Sequence, residues 1–442
     1  MSVSQLYPNS ETLADIRQQN RFAVLRLLSD HGALSRSDLV KLTARTNTTV
    51  ATILDGLVEE ELAEIVAEDK SNEAVETSRG RPASLYRLTN TRWLAAGIQI
   101  TSDAVTGAFM LLDGTIIANA SAAAPEDLPA DNVLQIAGDL IEGLIAQVAH
   151  LEMKILGFGI SLEGFVNPDT GLSLWMLFRN RWNDVPVKTF FEERFGLPTV
   201  IDYRVYAAAL AEVYYGAARG IRDFVYLNID TGIATASVAS GSLVRSSTLP
   251  AGVTGGLGHI LSSRSSKTCF CGNIGCMHNE ITTRSLITQL KELLLLGRGH
   301  NIGQFWDTHE PTFGNLIEAI REEDALALQL RDRYSENLGI TVSGTVQLFS
   351  ANLVIVGGPT IQFGGYYAVE AAQRAISRLT ILHPLFSQTR VLASALEPDS
   401  ATVGAATLVV NAIMNGQIPT GNFELELKRD VIRTEQNGGS GQ

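Results

Sequence analysis

Apolar residues recur at spacings of three and four from the start of the chain. Leu13, Ile16, Val24, Leu27 and Leu28 share one face of a helix predicted over 13–28. Ser35 followed by Asp38 opens a second, shorter helix as a capping box with Asp in place of Glu. Leu39, Val40 and Leu42 follow on it, and "TARTN" ends it. A third helix then turns Val50, Ile53, Leu54 and Leu57 inward. Two short helices across a tight turn, the second amphipathic, form a helix-turn-helix pattern. From 65 to 89 turn formers separate short apolar runs, as in a β-hairpin wing.

After residue 92 the texture changes. "WLAAGIQITSDAVTGAFMLLDG" reads as alternating strands with a turn at Asp113-Gly114, and "KILGFGISL", "DFVYLNI" and "NLVIVGG" read as buried strands. Helical stretches lie between them, at 207–220, in "TRSLITQLKELLLL" and in "TVGAATLVVNAIM". This alternation predicts an α/β body of two lobes. The expected boundaries are 1–90 for a winged helix-turn-helix and 91–205 for the first lobe, with a return helix at about 398–415. The second lobe and an oligomerisation surface take 206–397, and a flexible tail takes 416–442.

Composition narrows the functions. The 442 residues allow two or three domains, and 45% hydrophobic residues supply an ordinary core. A net charge of −13 argues against a general nucleic-acid coat or a binder of anionic membranes. The N-terminus lacks the basic and apolar segments of a signal peptide, and no apolar run reaches the roughly 18 residues of a membrane span. Few cysteines point to a reducing cytoplasm. All three lie in "CFCGNIGC", from Cys269 to Cys276. An odd number does not suit a disulfide framework. A metal would need these thiolates and a fourth ligand from elsewhere. Buried free thiols or a redox switch are the alternatives.

The first 90 residues hold the candidate DNA contacts. The third helix begins near Asn47, with Asn47, Thr48, Thr49 and Thr52 outward and Arg45 just before it. Asn reads adenine, and small hydroxyl side chains approach phosphates and thymine methyls. Arg36 and Lys41 suit the flanking backbone. Arg79 and Arg81 in "SRGRPASLYR" suit phosphate or minor-groove contact. Ten Lys and Arg stand against thirteen Asp and Glu here, a net of −3, so specificity must come from operator contacts and dimer symmetry.

The motif order "SRSDLVKLT", "SRGRPASLYRL", Gly258-His259 and "CFCGNIGC" resembles the repressor/ORF/kinase (ROK) family over nearly the whole chain. The resemblance implies an actin-like, hexokinase-like ATPase body behind the DNA-binding head. It also implies dimers or tetramers on double-stranded operator DNA, responsive to sugars or sugar phosphates. It further implies one structural Zn2+ held by His259, Cys269, Cys271 and Cys276, in a closed tetrahedral site with no open position for catalysis.

Departures from the family pattern then matter. The first phosphate loop of family kinases, Asp-Ile-Gly-Gly-Thr, aligns with Gln99, Ile100, Thr101, Ser102 and Asp103. The second, Gly-Thr-Gly-Ile-Gly, aligns with Asp230, Thr231, Gly232, Ile233 and Ala234. Arg204 occupies the catalytic-base position, and a guanidinium accepts no proton. Gly256 and His278 replace two acidic sugar contacts. No enzymatic activity is expected. Tyr203, Arg204, Tyr206 and His278 define an expected pocket for an anionic sugar derivative. The competing reading is a filled cleft in which Arg204 pairs with Asp202 or Asp230. A sugar kinase with a DNA-binding appendage, and a redox-responsive regulator, complete the alternatives.

Overall fold

The computed structural model describes residues 13–66, 84–89, 92–151, 153–176, 179, 182–253, 255–262, 266–295, 311–378, 384–397, 399–415 and 417–418. The head comprises α1 (Leu13–His31), β1 (Leu34–Ser35), α2 (Arg36–Thr43), α3 (Asn47–Glu59), β2 (Ala63–Val66) and β3 (Leu85–Leu88). Its strands pair in the order β1-β3-β2. Val24, Leu25, Leu28, Leu39, Val50, Leu54 and Leu57 form its core. Ile16 and Leu42, expected inside, are 37% and 51% exposed. The eight-residue α2 buries only Leu39. Leu25 adds an inward side chain that the spacing argument left out. Arg79 and Arg81 lie outside the described residues.

The first lobe contains β4 (Trp93–Ile100), β5 (Ala104–Leu111), β6 (Ile116–Ala123), α4 (Ala130–Val148), β7 (Lys154–Leu162), a small sheet of β8 (Phe165–Asn167), β9 (Leu172–Trp175) and β10 (Asn183–Val185), then α5 (Val187–Phe195), β11 (Thr199–Tyr203) and α6 (Arg204–Tyr214). Its main sheet runs β11-β7-β4-β5-β6. The second lobe contains β12 (Phe224–Ile229), β13 (Ile233–Ala239), β14 (Ser242–Leu243), α7 (His278–Ile281), α8 (Thr283–Leu295), α9 (Phe313–Arg321), α10 (Ala325–Phe349), β15 (Leu353–Gly357), α11 (Thr360–Arg378) and β16 (Arg390–Ala393), after which α12 (Ser400–Met414) rejoins the first lobe. Its sheet runs β14-β13-β12-β15-β16. Each sheet is an antiparallel three-strand meander extended by two parallel strands that need helical crossovers. The two lobes therefore share one connectivity.

Helix α12 returns from the second lobe to cover the first. Its start, Ser-Ala-Thr-Val-Gly-Ala-Ala, is small enough to lie directly on the sheet. Gly97 and Gly159 make that approach possible. A Cβ at Gly97 would stand 2.4 Å from the Thr402 carbonyl oxygen, and one at Gly159 1.8 Å from that of Ala405. The far end of α12 seats the head. Leu25, Leu62 and Leu88 gather with Leu112, Val410, Ile413 and Met414. The Trp93 indole donates to the Glu61 carbonyl at 3.0 Å, and Arg219 donates to that of Asp30 at 2.9 Å.

Gly159→Ala should lower the midpoint of urea unfolding, with a loss of about 2–3 kcal/mol from overpacking against α12 backbone. An unchanged midpoint would mean that α12 does not lie this close.

Candidate functional site

Both helices of the helix-turn-helix are capped by their own side chains. The Ser35 hydroxyl accepts from the Asp38 N–H at 3.2 Å, and the Thr46 hydroxyl accepts from the Thr49 N–H at 3.2 Å. Ala44 at φ +53 turns the chain between them. Arg36, Lys41, Arg45, Asn47, Thr48 and Thr52 are all exposed. Thr48 and Thr52 lie across α3 from buried Val50, Leu54 and Leu57. Thr49 is half-buried with its hydroxyl 2.8 Å from that of Thr46, so it acts within the cap rather than facing outward. Lys41 lies 3.9 Å from Asp38. Asp55 and Glu59 take up the exposed face farther along, which confines an anion-facing surface to the first turns of α3.

The cysteine loop is a tight knuckle. Cys269 N–H donates to the Asn273 carbonyl at 2.8 Å, and Gly272 N–H to that of Cys269 at 2.9 Å. Gly272 and Gly275 adopt φ of +89° and +85°, a region costly for other residues. His259 enters from a short 3-10 turn over Leu257–His259. The ligand atoms of His259, Cys269, Cys271 and Cys276 all lie within 4.8 Å of one another. His259 Nδ1 is 3.7 Å from Cys269 Sγ, and Cys271 Sγ is 3.6 Å from Cys276 Sγ. A tetrahedron with metal–sulfur bonds near 2.3 Å has edges of about 3.8 Å, so the donor set fits such an ion. Burial, then the two neighbouring thiols, pushes Cys276 up to about 12. A divalent cation would reverse that.

An ion network around Arg204 joins the two lobes. Arg204 opens α6. Its Nη1 donates to Asp230 Oδ2 at 3.1 Å, and its Nε lies 3.5 Å from Glu163 Oε1. Glu163 follows β7, and Asp230 lies in the β12–β13 turn of the opposite lobe. Glu163 Oε2 also accepts the Ser102 N–H at 3.0 Å. The backbone donor that a phosphate loop would offer is thus already bonded to a carboxylate. Arg179, which is buried, donates to the carbonyls of Thr101, Ala124 and Pro125 and seals the same turn. Burial raises the Glu163 carboxyl above its usual range, while Arg204 and the Ser102 N–H pull it back.

Two carboxylates match the charge of Arg204. Tyr203 and Tyr206 are buried edge-to-face, with ring centroids 5.7 Å apart, and burial pushes Tyr203 up to about 12. His278 carries no positive charge at neutral pH, because burial, then His259 and Arg284, pulls it down to about 4. Of the two carboxylates that the filled-cleft reading offered to Arg204, Asp230 is the one it meets. Asp202 pairs instead with Arg245, whose guanidinium lies 4.9 Å over the Tyr206 ring. Sequence reasoning missed Glu163 and Arg245. The signal for Glu163 was a charge placed directly after a nine-residue buried strand. Arg245 had none, since its partner is 43 positions away.

Two sheets of like connectivity, joined through α6 and α12, define a hexokinase-like α/β body. A ROK family model matches residues 95–412, and the chain belongs to the ROK family. The Xylose repressor of Caldicellulosiruptor bescii is 24% identical over 400 residues, covering 90% of this chain and 97% of that protein. The DNA-binding transcriptional repressor Mlc of Escherichia coli (strain K12) is 25% identical over 407 residues, covering 91% and 95%. Among solved structures, a ROK family transcriptional regulator homologous to E. coli Mlc superimposes with a TM-score of 0.75 at 22% identity, covering 91% of this chain and 98% of that one. A ROK family glucokinase from Streptomyces griseus follows at 0.60 and 23%, covering 72% of this chain and 99% of its own.

Arg204→Ala should destabilise the protein by about 2 kcal/mol, since it leaves two half-buried carboxylates without their shared cation. Without Arg204 the Glu163 pKa rises further. The penalty is absent below the unfolded pKa, grows as pH rises past it, and is complete once pH exceeds the raised folded pKa. The loss should therefore be smaller at pH 5 than at pH 8 in parallel urea titrations. A loss independent of pH would contradict the network.

Proposed function

We propose that the chain is a cytoplasmic DNA-binding transcriptional repressor that works as a homo-oligomer on operator DNA. Its winged helix-turn-helix head reads the site, a structural zinc braces the second lobe, and the kinase-like body transfers no phosphate. The exposed, side-chain-capped start of α3 carries this reading, in a chain whose relatives over nine-tenths of its length include named repressors. Arg45, Asn47, Thr48 and Thr52 would face the major groove, and Arg36 and Lys41 the flanking phosphates. Arg79 and Arg81 would add wing contacts. Against kinase activity stand Arg204 at the base position and the closed Ser102–Glu163 contact.

His259, Cys269, Cys271 and Cys276 would hold the zinc. Bound there, the ion supplies a closed crosslink and no reactive position. The four residues join the 257–259 turn to the knuckle and so fix the chain entering α7.

Duplex DNA selected from a random library by the purified protein should bind Asn47→Ala and Arg45→Ala at least tenfold more weakly, as expected when a base contact worth about 1–3 kcal/mol is lost. Failure to enrich any sequence, or unchanged affinity in both variants, would overturn the assignment.

Elemental analysis should find one zinc per chain, and Cys271→Ser should lose it together with several degrees of thermal stability. Zinc-free protein of undiminished stability would remove the metal from the account.

A further inference from the structure

Behind the cysteine loop, three helices meet through polar side chains that are almost wholly buried. Glu280 of α7, Gln289 of α8 and Asn337 of α10 are 1%, 2% and 2% exposed. Asn337 Nδ2 donates to Glu280 Oε2 at 3.3 Å, and Arg333 Nη2, one turn earlier on α10, donates to the same oxygen at 2.8 Å. Gln289 Nε2 donates to the backbone carbonyl of Glu280 at 3.0 Å. Asn279 ties the cluster to the knuckle, since its Nδ2 donates to the Thr268 carbonyl at 3.1 Å.

Each of the three side chains keeps one oxygen out of this network. Glu280 Oε1, Gln289 Oε1 and Asn337 Oδ1 are buried and accept no hydrogen bond from any described residue. Chemistry fixes which end of each amide is left over. The amide nitrogens of Gln289 and Asn337 face the carbonyl and the carboxylate that they bond, and turning either amide over would set oxygen against oxygen. Folded interiors leave few buried acceptors unmatched, and here three belong to one bonded cluster.

The donor set selects what matches it. All three atoms are oxygens, whereas Zn2+ favours thiolate and imidazole. Only one of them is a carboxylate oxygen, and Arg333 already offsets part of its charge. Ca2+ gathers roughly six to eight oxygens, with carboxylates prominent among them. One carboxylate and two neutral amides therefore call for a single positive charge. Amide-type carbonyl oxygens are the groups that take the place of water around K+.

We infer that Glu280, Gln289 and Asn337 bind one K+ ion, which clasps α7 to α8 and α10 behind the knuckle. None of His259, Cys269, Cys271 and Cys276 belongs to this site, so it stands apart from the zinc assignment and from the DNA-binding reading. Melting temperatures of the purified chain in equal concentrations of KCl, NaCl and choline chloride test it, choline being too large to enter. KCl should raise the melting temperature by about 3 °C or more over choline chloride. Glu280→Gln, which removes the anionic oxygen, should lose that difference. Gln289→Lys brings its own ammonium to the same oxygens and should melt at one temperature in all three salts. Crystals of the unmodified chain soaked in thallium acetate, whose Tl+ replaces K+ and scatters anomalously, should show a peak within bonding distance of Glu280 Oε1, Gln289 Oε1 and Asn337 Oδ1. That map locates the ion whether or not a variant folds. Equal melting of the unmodified chain in all three salts, a rise with NaCl alone, a KCl difference kept in Gln289→Lys, or a map without a peak at these oxygens would each overturn the site. A water molecule bridging the three oxygens would give the first and last of these results.

Discussion

Helix α12 is the constraint on which the other contacts depend. Its first two turns are small residues pressed onto β4 and β7, where Gly97 and Gly159 leave no Cβ to hold it off. Gly404 brings it equally close to the backbone of α6 at Ala207 and Ala208. Close packing of this kind tolerates little displacement, because an interior at crystal-like density has no slack to absorb it. The same helix then supplies Val410, Ile413 and Met414 to the seat of the head. One element therefore carries both the lobe contact and the head contact.

The ion network around Arg204 is the complementary constraint. Burying Arg204 is unfavourable unless its charge is matched and its donors are bonded. Glu163 from one lobe and Asp230 from the other meet that need together. The pairing makes the relative position of the lobes a condition for burying the charge. It also occupies the Ser102 donor that faces the same space.

Much of the architecture was legible locally. Strand β7 coincides with "KILGFGISL", because a strand buried on both faces reads as an unbroken apolar run. The caps at Ser35 and Thr46 and the start of α3 at Asn47 follow from short-range side-chain to backbone bonds. The metal cluster was legible because three of its four members lie within eight residues. Other features were not. Ile16 and Leu42 have the right period, but no neighbour among the described residues buries them.

The sequence by itself determined the helix-turn-helix, the strand and helix alternation, the knuckle, and a guanidinium at position 204. All of these rest on residue type, or on interactions spanning a few positions. Only the tertiary structure decided what Arg204 touches and that Asp202 belongs to Arg245. Those pairings bridge 26 to 43 positions between separate elements. Charge complementarity along the chain names several eligible partners, and packing in three dimensions selects among them.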